Sequence, residues 1–210
     1  MSLRSKLQHA KLLVAGPAAP RRAFLHVIRM WMKGVDLRGV STQSLGLDER
    51  RSTWYSDSGG SDLDEVFRTL PITTNDALLD FGCGKGGALI TLSRYPFERV
   101  DGIEISPKLT QTARRNLERL SISKSQVFCS DATEFTELDG YTYVYMYHPF
   151  LEPVMKHVLA NLCASLRRKP RSLTLVYKNP VCDPLVLESG FFPVQDFTHS
   201  TDLFRVYRHP

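Results

Sequence analysis

Long apolar runs are missing from this 210-residue chain: the longest, Leu12–Ala19, has eight residues and is broken by Gly16 and Pro17. A membrane-spanning helix needs about 20 such residues, which excludes a span here. Cysteine is scarce. Cys83, Cys129, Cys163 and Cys182 lie 46, 34 and 19 positions apart, so no pair has zinc-ligand or redox-motif spacing. No metal is expected, and a reduced, cytoplasmic setting is. Acid is absent from residues 1–35, while residues 1–40 hold eight Lys and Arg and only Asp36. The net charge of +5 therefore divides into +7 for residues 1–40 and −2 for the rest. A nucleic-acid-binding domain carries its cations on the folded surface, so the chain gives no strong nucleic-acid signal. Repeats and low-complexity tracts are absent too, and 42% hydrophobic with 23% charged residues is ordinary usage for a chain that builds a core.

The acid-free, Arg- and Ser-containing start has the composition of a mitochondrial transit peptide, and equally that of a basic surface helix. From Pro20, Phe24, Val27, Ile28 and Trp31 follow the stripe of an amphipathic helix, with Arg22, His26, Arg29 and Lys33 on its other face. Such a helix docks on a domain or approaches an anionic membrane surface. Residues 41–60 are polar, with Trp54 and Tyr55 embedded and Gly59-Gly60 at the end. Ser61 is placed to cap a helix carrying Leu63, Val66, Phe67 and Leu70, which Pro71 stops. The expected organisation is a basic helical arm with a lid-like loop over residues 1–60 and one domain over 61–210.

After Pro71 strands and helices alternate. Ala77–Phe81, Val100–Ile105, Gln126–Cys129, Tyr141–Tyr147 and Ser172–Tyr177 read as strands. Helices are expected after the first strand, from Pro107, and from about Leu151 to Arg168. Phe191–Phe197 and Leu203–Tyr207 read as a closing antiparallel hairpin. Alternating β and α units imply an α/β fold, doubly wound, with a mostly parallel sheet covered by helices on both faces.

The segment Asp80-Phe81-Gly82-Cys83-Gly84-Lys85-Gly86-Gly87 follows a strand and opens a helix, the context in which a glycine motif carries meaning. Gly82, Gly84 and Gly87 satisfy G-x-G-x-x-G, a dinucleotide pattern. Asp80, Gly82, Gly84 and Gly86 satisfy D-x-G-x-G-x-G, the pattern of S-adenosylmethionine binders. A dinucleotide brings an anionic pyrophosphate to the turn, and a carboxylate two residues before the first glycine opposes it. S-adenosylmethionine brings a methionyl ammonium, which the same carboxylate favours.

Together with Glu104 ending the second strand and Asp131-Ala132 after the third, this segment resembles the class I S-adenosylmethionine-dependent methyltransferases, and specifically a subgroup of small, mostly bacterial members of undefined substrate. The resemblance covers residues 75–210 and implies a Rossmann-like, seven-stranded sheet with S-adenosyl-L-methionine as cofactor. It implies that Asp80 and the loop of Gly82, Cys83, Gly84 and Gly86 hold the methionyl end, that Glu104 takes the ribose hydroxyls and Asp131 the adenine amine, that Ile105 and Ala132 also bind the cofactor, and that Tyr55 covers its methionyl end. The subgroup usually has Asn-Pro-Phe at the end of the fourth strand, where this chain has His148-Pro149-Phe150.

The departure matters because that strand end faces the transferred methyl group. Histidine, with an unperturbed pKa of about 6.5, suits a base for a nucleophile that arrives protonated. His148 is the candidate base or orienting group, and Phe150 a candidate wall of the methyl site. Tyr177 and Lys178 end the fifth strand nearby, the lysine expected in solvent; His199 and His209 read as surface residues. The acceptor is expected to offer an O or N nucleophile. The rival readings are an NAD(P)-dependent oxidoreductase, resting on the overlapping glycine pattern, and a non-catalytic cofactor-binding module.

Overall fold

Among residues 21–39, 57–199 and 202–210, which a computed structural model describes, seven strands and six helices form. The strands are β1 (Ala77–Phe81), β2 (Arg99–Glu104), β3 (Val127–Cys129), β4 (Tyr143–Tyr147), β5 (Leu173–Lys178), β6 (Phe192–His199) and β7 (Asp202–His209). They make one sheet in the order β3-β2-β1-β4-β5-β7-β6, with β7 alone running against the others. Every residue of β1 and of β5 is buried, as expected of parallel strands covered on both faces. Strand order reverses between β1 and β4, so a crevice opens at their C-terminal ends, the position where open α/β sheets take ligands.

The helices are α1 (Arg21–Met32), α2 (Ser61–Phe67), α3 (Gly87–Leu92), α4 (Pro107–Arg119), α5 (Glu152–Arg168) and α6 (Asp183–Glu188). Leu63, Val66 and Phe67 of α2, Leu89 and Leu92 of α3, and Ala113 and Leu117 of α4 bury against Leu78, Val100 and Tyr145 on one face of the sheet. Val154, Met155, Val158, Leu159 and Leu162 of α5 bury against Leu79, Phe81, Val144 and Leu175 on the other. Local chemistry starts α4 where it begins: the Ser106 side chain accepts the Leu109 N–H, and Pro107 sits where no N–H is needed.

Several local expectations shift. The cap of α2 is Gly60, at φ 101°, with no side-chain cap bond, and the Ser61 hydroxyl turns to Asp62 instead. The helix ends at Phe67, before the Pro71 stop. In α1, Trp31 is 51% exposed, whereas Val27 and Met30 pack against the core. His26 packs on Gly60 instead of facing solvent. Helix α6, a short turn of helix after Pro180, has no counterpart in the sequence reading. Residues 34–39 run along the domain, with Val35 and Leu37 buried in the core formed by α2, α3 and α4.

Candidate functional site

The glycine loop begins where β1 ends. Gly82 and Cys83 both donate their N–H to the Ile103 carbonyl, at 2.9 and 3.0 Å, which fastens the loop to β2. Gly82, Gly84 and Gly86 have φ of 76°, 55° and 83°, the left-handed region that glycine enters without penalty. Close approach adds a second requirement at Gly82, where a Cβ would lie 2.8 Å from Pro149 Cβ. The glycine loop and the loop after β4 therefore touch directly. Gly86 caps α3. The Cys83 side chain packs inward against Gly102 and carries a thiol pushed well up by burial, so any ligand contact there falls to its backbone.

Two carboxylates frame the loop. Glu104, at the end of β2, accepts the Gly84 N–H on Oε2 at 3.0 Å and the Ser106 N–H on Oε1 at 2.8 Å. Burial raises its pKa, and the Ser106, Gly84 and Ile105 amides counter that rise. Asp80 is 3% exposed, and no donor among the described residues hydrogen-bonds its carboxylate. Burial, and then the Glu104 charge, push it well above the usual carboxylate range. A buried carboxylate without donors is costly; an ammonium ligand relieves that cost, and hydroxyl groups can bind the remaining lone pairs of Glu104. A methionyl ammonium and a ribose fit this pair, and a pyrophosphate does not. Lys85, the loop's one cation, points its Nζ to Asp36 and the Arg38 carbonyl.

Beyond β2, Ile105 is left 40% exposed, an apolar surface suited to a flat ring. Asp131 Oδ1 accepts both the Thr133 N–H (2.9 Å) and the Thr133 hydroxyl (2.8 Å), which shapes the turn after β3. Ala132 is buried beside it. Tyr55 and Trp54 lie outside the described residues.

At the end of β4, His148 has φ 38°, and at the end of β5 Asn179 has φ 53°. Both conformations are uncommon for residues with a side chain. The two strand ends are joined by the His148 N–H donating to the Lys178 carbonyl at 3.2 Å. Burial lowers the His148 pKa, which keeps its imidazole neutral at pH 7. Phe150 is buried edge-on against Phe81, with centroids 6.2 Å apart, and belongs to the core of the α5 face.

Residues 78–169, from β1 through α5, match the family model described as a methyltransferase domain. That match spans less than half of the chain, and over it the chain is similar to a methyltransferase domain. Release factor glutamine methyltransferase of Vibrio cholerae is 31% identical over 110 residues, 50% of this chain; the chain spans only 37% of that relative's length. Among solved structures, a SAM-dependent methyltransferase from Aquifex aeolicus superposes with a TM-score of 0.59 at 17% identity, over 70% of this chain and 88% of that one. An RNA methyltransferase from Salinibacter ruber in complex with S-adenosyl-L-homocysteine superposes with a TM-score of 0.52 at 22% identity, again over 70% and 88%. At these identities the likeness is one of fold.

The described residues also make pairings that motif reading does not reach. Lys178 is buried, not solvated: it pairs with Asp202 at 2.7 Å and lies 4.1 Å from the centre of the Tyr147 ring. Asn179 Nδ2 donates to the other Asp202 oxygen at 3.0 Å. His199 stacks edge-on against Phe204, 3.9 Å from Glu65, and His209 meets Phe191 in the same way. Asp57 is buried against Gly87, where α3 begins, and 3.6 Å from His26. Apart from His199 with Phe204, five residues on across the closing hairpin, these pairings join positions far apart in sequence, which no local pattern announces. Among the described residues no group of three or more His, Cys, Asp or Glu could hold a metal, and no helix is long and apolar enough to cross a membrane.

Proposed function

We propose that this protein transfers the methyl group of S-adenosylmethionine to an O or N nucleophile, with His148 orienting the nucleophile and taking its proton. The observation that carries the proposal is the contact of Gly82 with Pro149, which holds the cofactor loop against the strand end bearing a neutral histidine. The cofactor supplies a methyl group already activated by a sulfonium. The chain's own residues then have to align donor and acceptor, a contribution that reaches about 7–11 kcal/mol in well-oriented systems. Asp80 binds the ammonium, Glu104 the ribose hydroxyls, and the bare Ile105 surface the adenine. As the nucleophile's lone pair bonds to the methyl carbon, the carbon–sulfur electron pair returns to sulfur. The proton of the nucleophile goes to the His148 imidazole and from there to solvent.

The left-handed backbone at His148 supports the reading, since such conformations cluster at functional sites. Two similar proteins are a release factor glutamine methyltransferase and an RNA methyltransferase, so protein and RNA belong in the acceptor screen alongside small molecules. The non-catalytic reading differs by its outcome: S-adenosylhomocysteine binds, and no acceptor takes up label.

The test is a transfer screen with methyl-labelled cofactor, followed by a pH profile. Because burial lowers the His148 pKa, the neutral base is present above about pH 6.5, so kcat/KM should be flat from pH 7 to 9 and fall on the acid side. His148→Asn should lose roughly a hundredfold in kcat/KM and the acid limb with it. Full turnover by His148→Asn from pH 6 to 9 would remove the base.

A further inference from the structure

Three separated stretches of chain meet at the middle of the glycine loop. Asn116 of α4, 2% exposed, accepts the Asp36 N–H at 3.0 Å and donates from Nδ2 to the Asp36 carbonyl at 3.0 Å and to the Lys85 carbonyl at 2.9 Å. Lys85 sits between the left-handed Gly84 and Gly86 and sends its Nζ to Asp36 Oδ2 at 3.1 Å and to the Arg38 carbonyl at 2.7 Å. Arg38 Nε closes on Asp36 Oδ1 at 2.9 Å. Buried Val35 and Leu37 alternate with these polar residues and pin the same stretch to the core. Asp36 and Arg38 face the loop, Val35 and Leu37 face inward, and the backbone between them is clamped by one amide side chain.

We infer that residues 34–39 form a strap that acts as a positioning element of the cofactor site, with Asp36, Lys85 and Asn116 holding the glycine loop in its cofactor-receiving shape. The inference rests on the cofactor reading above. Its physical basis is the position of Lys85. A buried ammonium is tolerable only beside a partner, and the partner comes from outside residues 78–169. Without Asp36 the ammonium loses its carboxylate partner and keeps the neutral Arg38 carbonyl, which favours turning toward solvent, and its backbone lies between the Gly84 amide held by Glu104 and the Gly86 cap of α3. Turning Lys85 outward therefore pulls on the carboxylate that takes the ribose and on the start of the helix. Cofactor affinity thereby becomes a property of the N-terminal segment as well as of the methyltransferase domain.

The test uses the full-length chain. Asp36→Asn removes the carboxylate while leaving the Asn116 backbone bonds available; Lys85→Met removes the cation while keeping its stem; Lys85→Arg restores one. S-adenosylhomocysteine affinity is measured by calorimetry, and amide hydrogen exchange is followed at residues 82–87. Asp36→Asn and Lys85→Met should each weaken binding by about tenfold, within the usual range of coupling between linked sites. The double variant should lose little more, and Lys85→Arg should recover most of the affinity. Exchange should quicken at Gly84 and Gly86 and stay unchanged in β5 and α5. Wild-type affinity and wild-type loop exchange in Asp36→Asn and Lys85→Met would overturn the inference, as would exchange that quickens equally throughout the sheet. If the wild type takes no S-adenosylhomocysteine, the cofactor reading falls, and the exchange pattern still decides whether the strap holds the loop.

Discussion

The two halves of the sheet, β3-β2-β1 and β4-β5-β7-β6, build their crevice edges by different means. On the first, backbone does the shaping: three left-handed glycines turn the chain, and amide N–H groups aim the Glu104 carboxylate. On the second, side chains do it: His148 and Asn179 take the left-handed region themselves, braced by Asp202 holding Lys178 and Asn179. A backbone-built edge suits a ligand that does not change, because glycines and amides leave little to vary. A side-chain-built edge can be altered residue by residue, which suits an acceptor that differs between enzymes. On the proposed reading, the division puts the donor's chemistry at β1 and β2 and the acceptor's at β4 and β5.

The contrast can be broken most forcefully at Glu104. Glu104→Ala leaves the Gly84 and Ser106 amides without acceptors and removes the ribose contact. It should cost about 3 kcal/mol of S-adenosylhomocysteine binding, roughly a hundredfold; calorimetric affinity equal to wild type would refute the assignment. Gly82→Ala comes next. Ala at a φ of 76° bears a left-handed cost, and its Cβ would press on Pro149. Together these should lower stability by about 2–4 kcal/mol in chemical denaturation, while an unchanged midpoint would mean the two loops are not in contact.

On the other edge, Lys178→Met leaves Asp202 with Asn179 as its remaining described hydrogen-bond partner. A loss of about 1–3 kcal/mol is expected in thermal melts, with S-adenosylhomocysteine affinity intact, since the residue belongs to the acceptor side. Reduced cofactor affinity there would blur the division between the halves. The smallest effect is at Asp36. Burial would raise its carboxyl, but Arg38 and Lys85 outweigh that and hold it at about 2, below the ordinary 3.8. A depressed carboxyl stabilises the fold above its unfolded pKa and loses that contribution as pH falls from about 4 to 2. The stability gap between wild type and Asp36→Asn should therefore shrink across that window, by about 1 kcal/mol after solvent screening; a gap independent of pH would contradict it.

The same contrast explains what could be read in advance. Strands β1 and β5 are mostly apolar short runs, ALLDF and LTLVYK, and the Asp80–Gly87 motif is contiguous, so both are visible one residue after another. Glu104 was legible because its distance from the loop is set by one helix and one strand. By contrast, Lys178 with Asp202 and Lys85 with Asp36 are partners across folded space, and nothing near either lysine marks it as buried. Periodicity identified α1 as amphipathic, yet its rotation depends on what it packs against: Met30 turned in and Trp31 out. Helix α6 is too short to show a period at all.

On the proposed reading, the abutment of position 82 on Pro149 couples two pockets. Trimming residue 149 to enlarge an acceptor pocket would also release the turn proposed to seat the methyl donor, so selectivity and donor alignment would drift together. Libraries that spare this proline and vary Tyr147 and Lys178 would test whether the acceptor can be changed without loosening the donor.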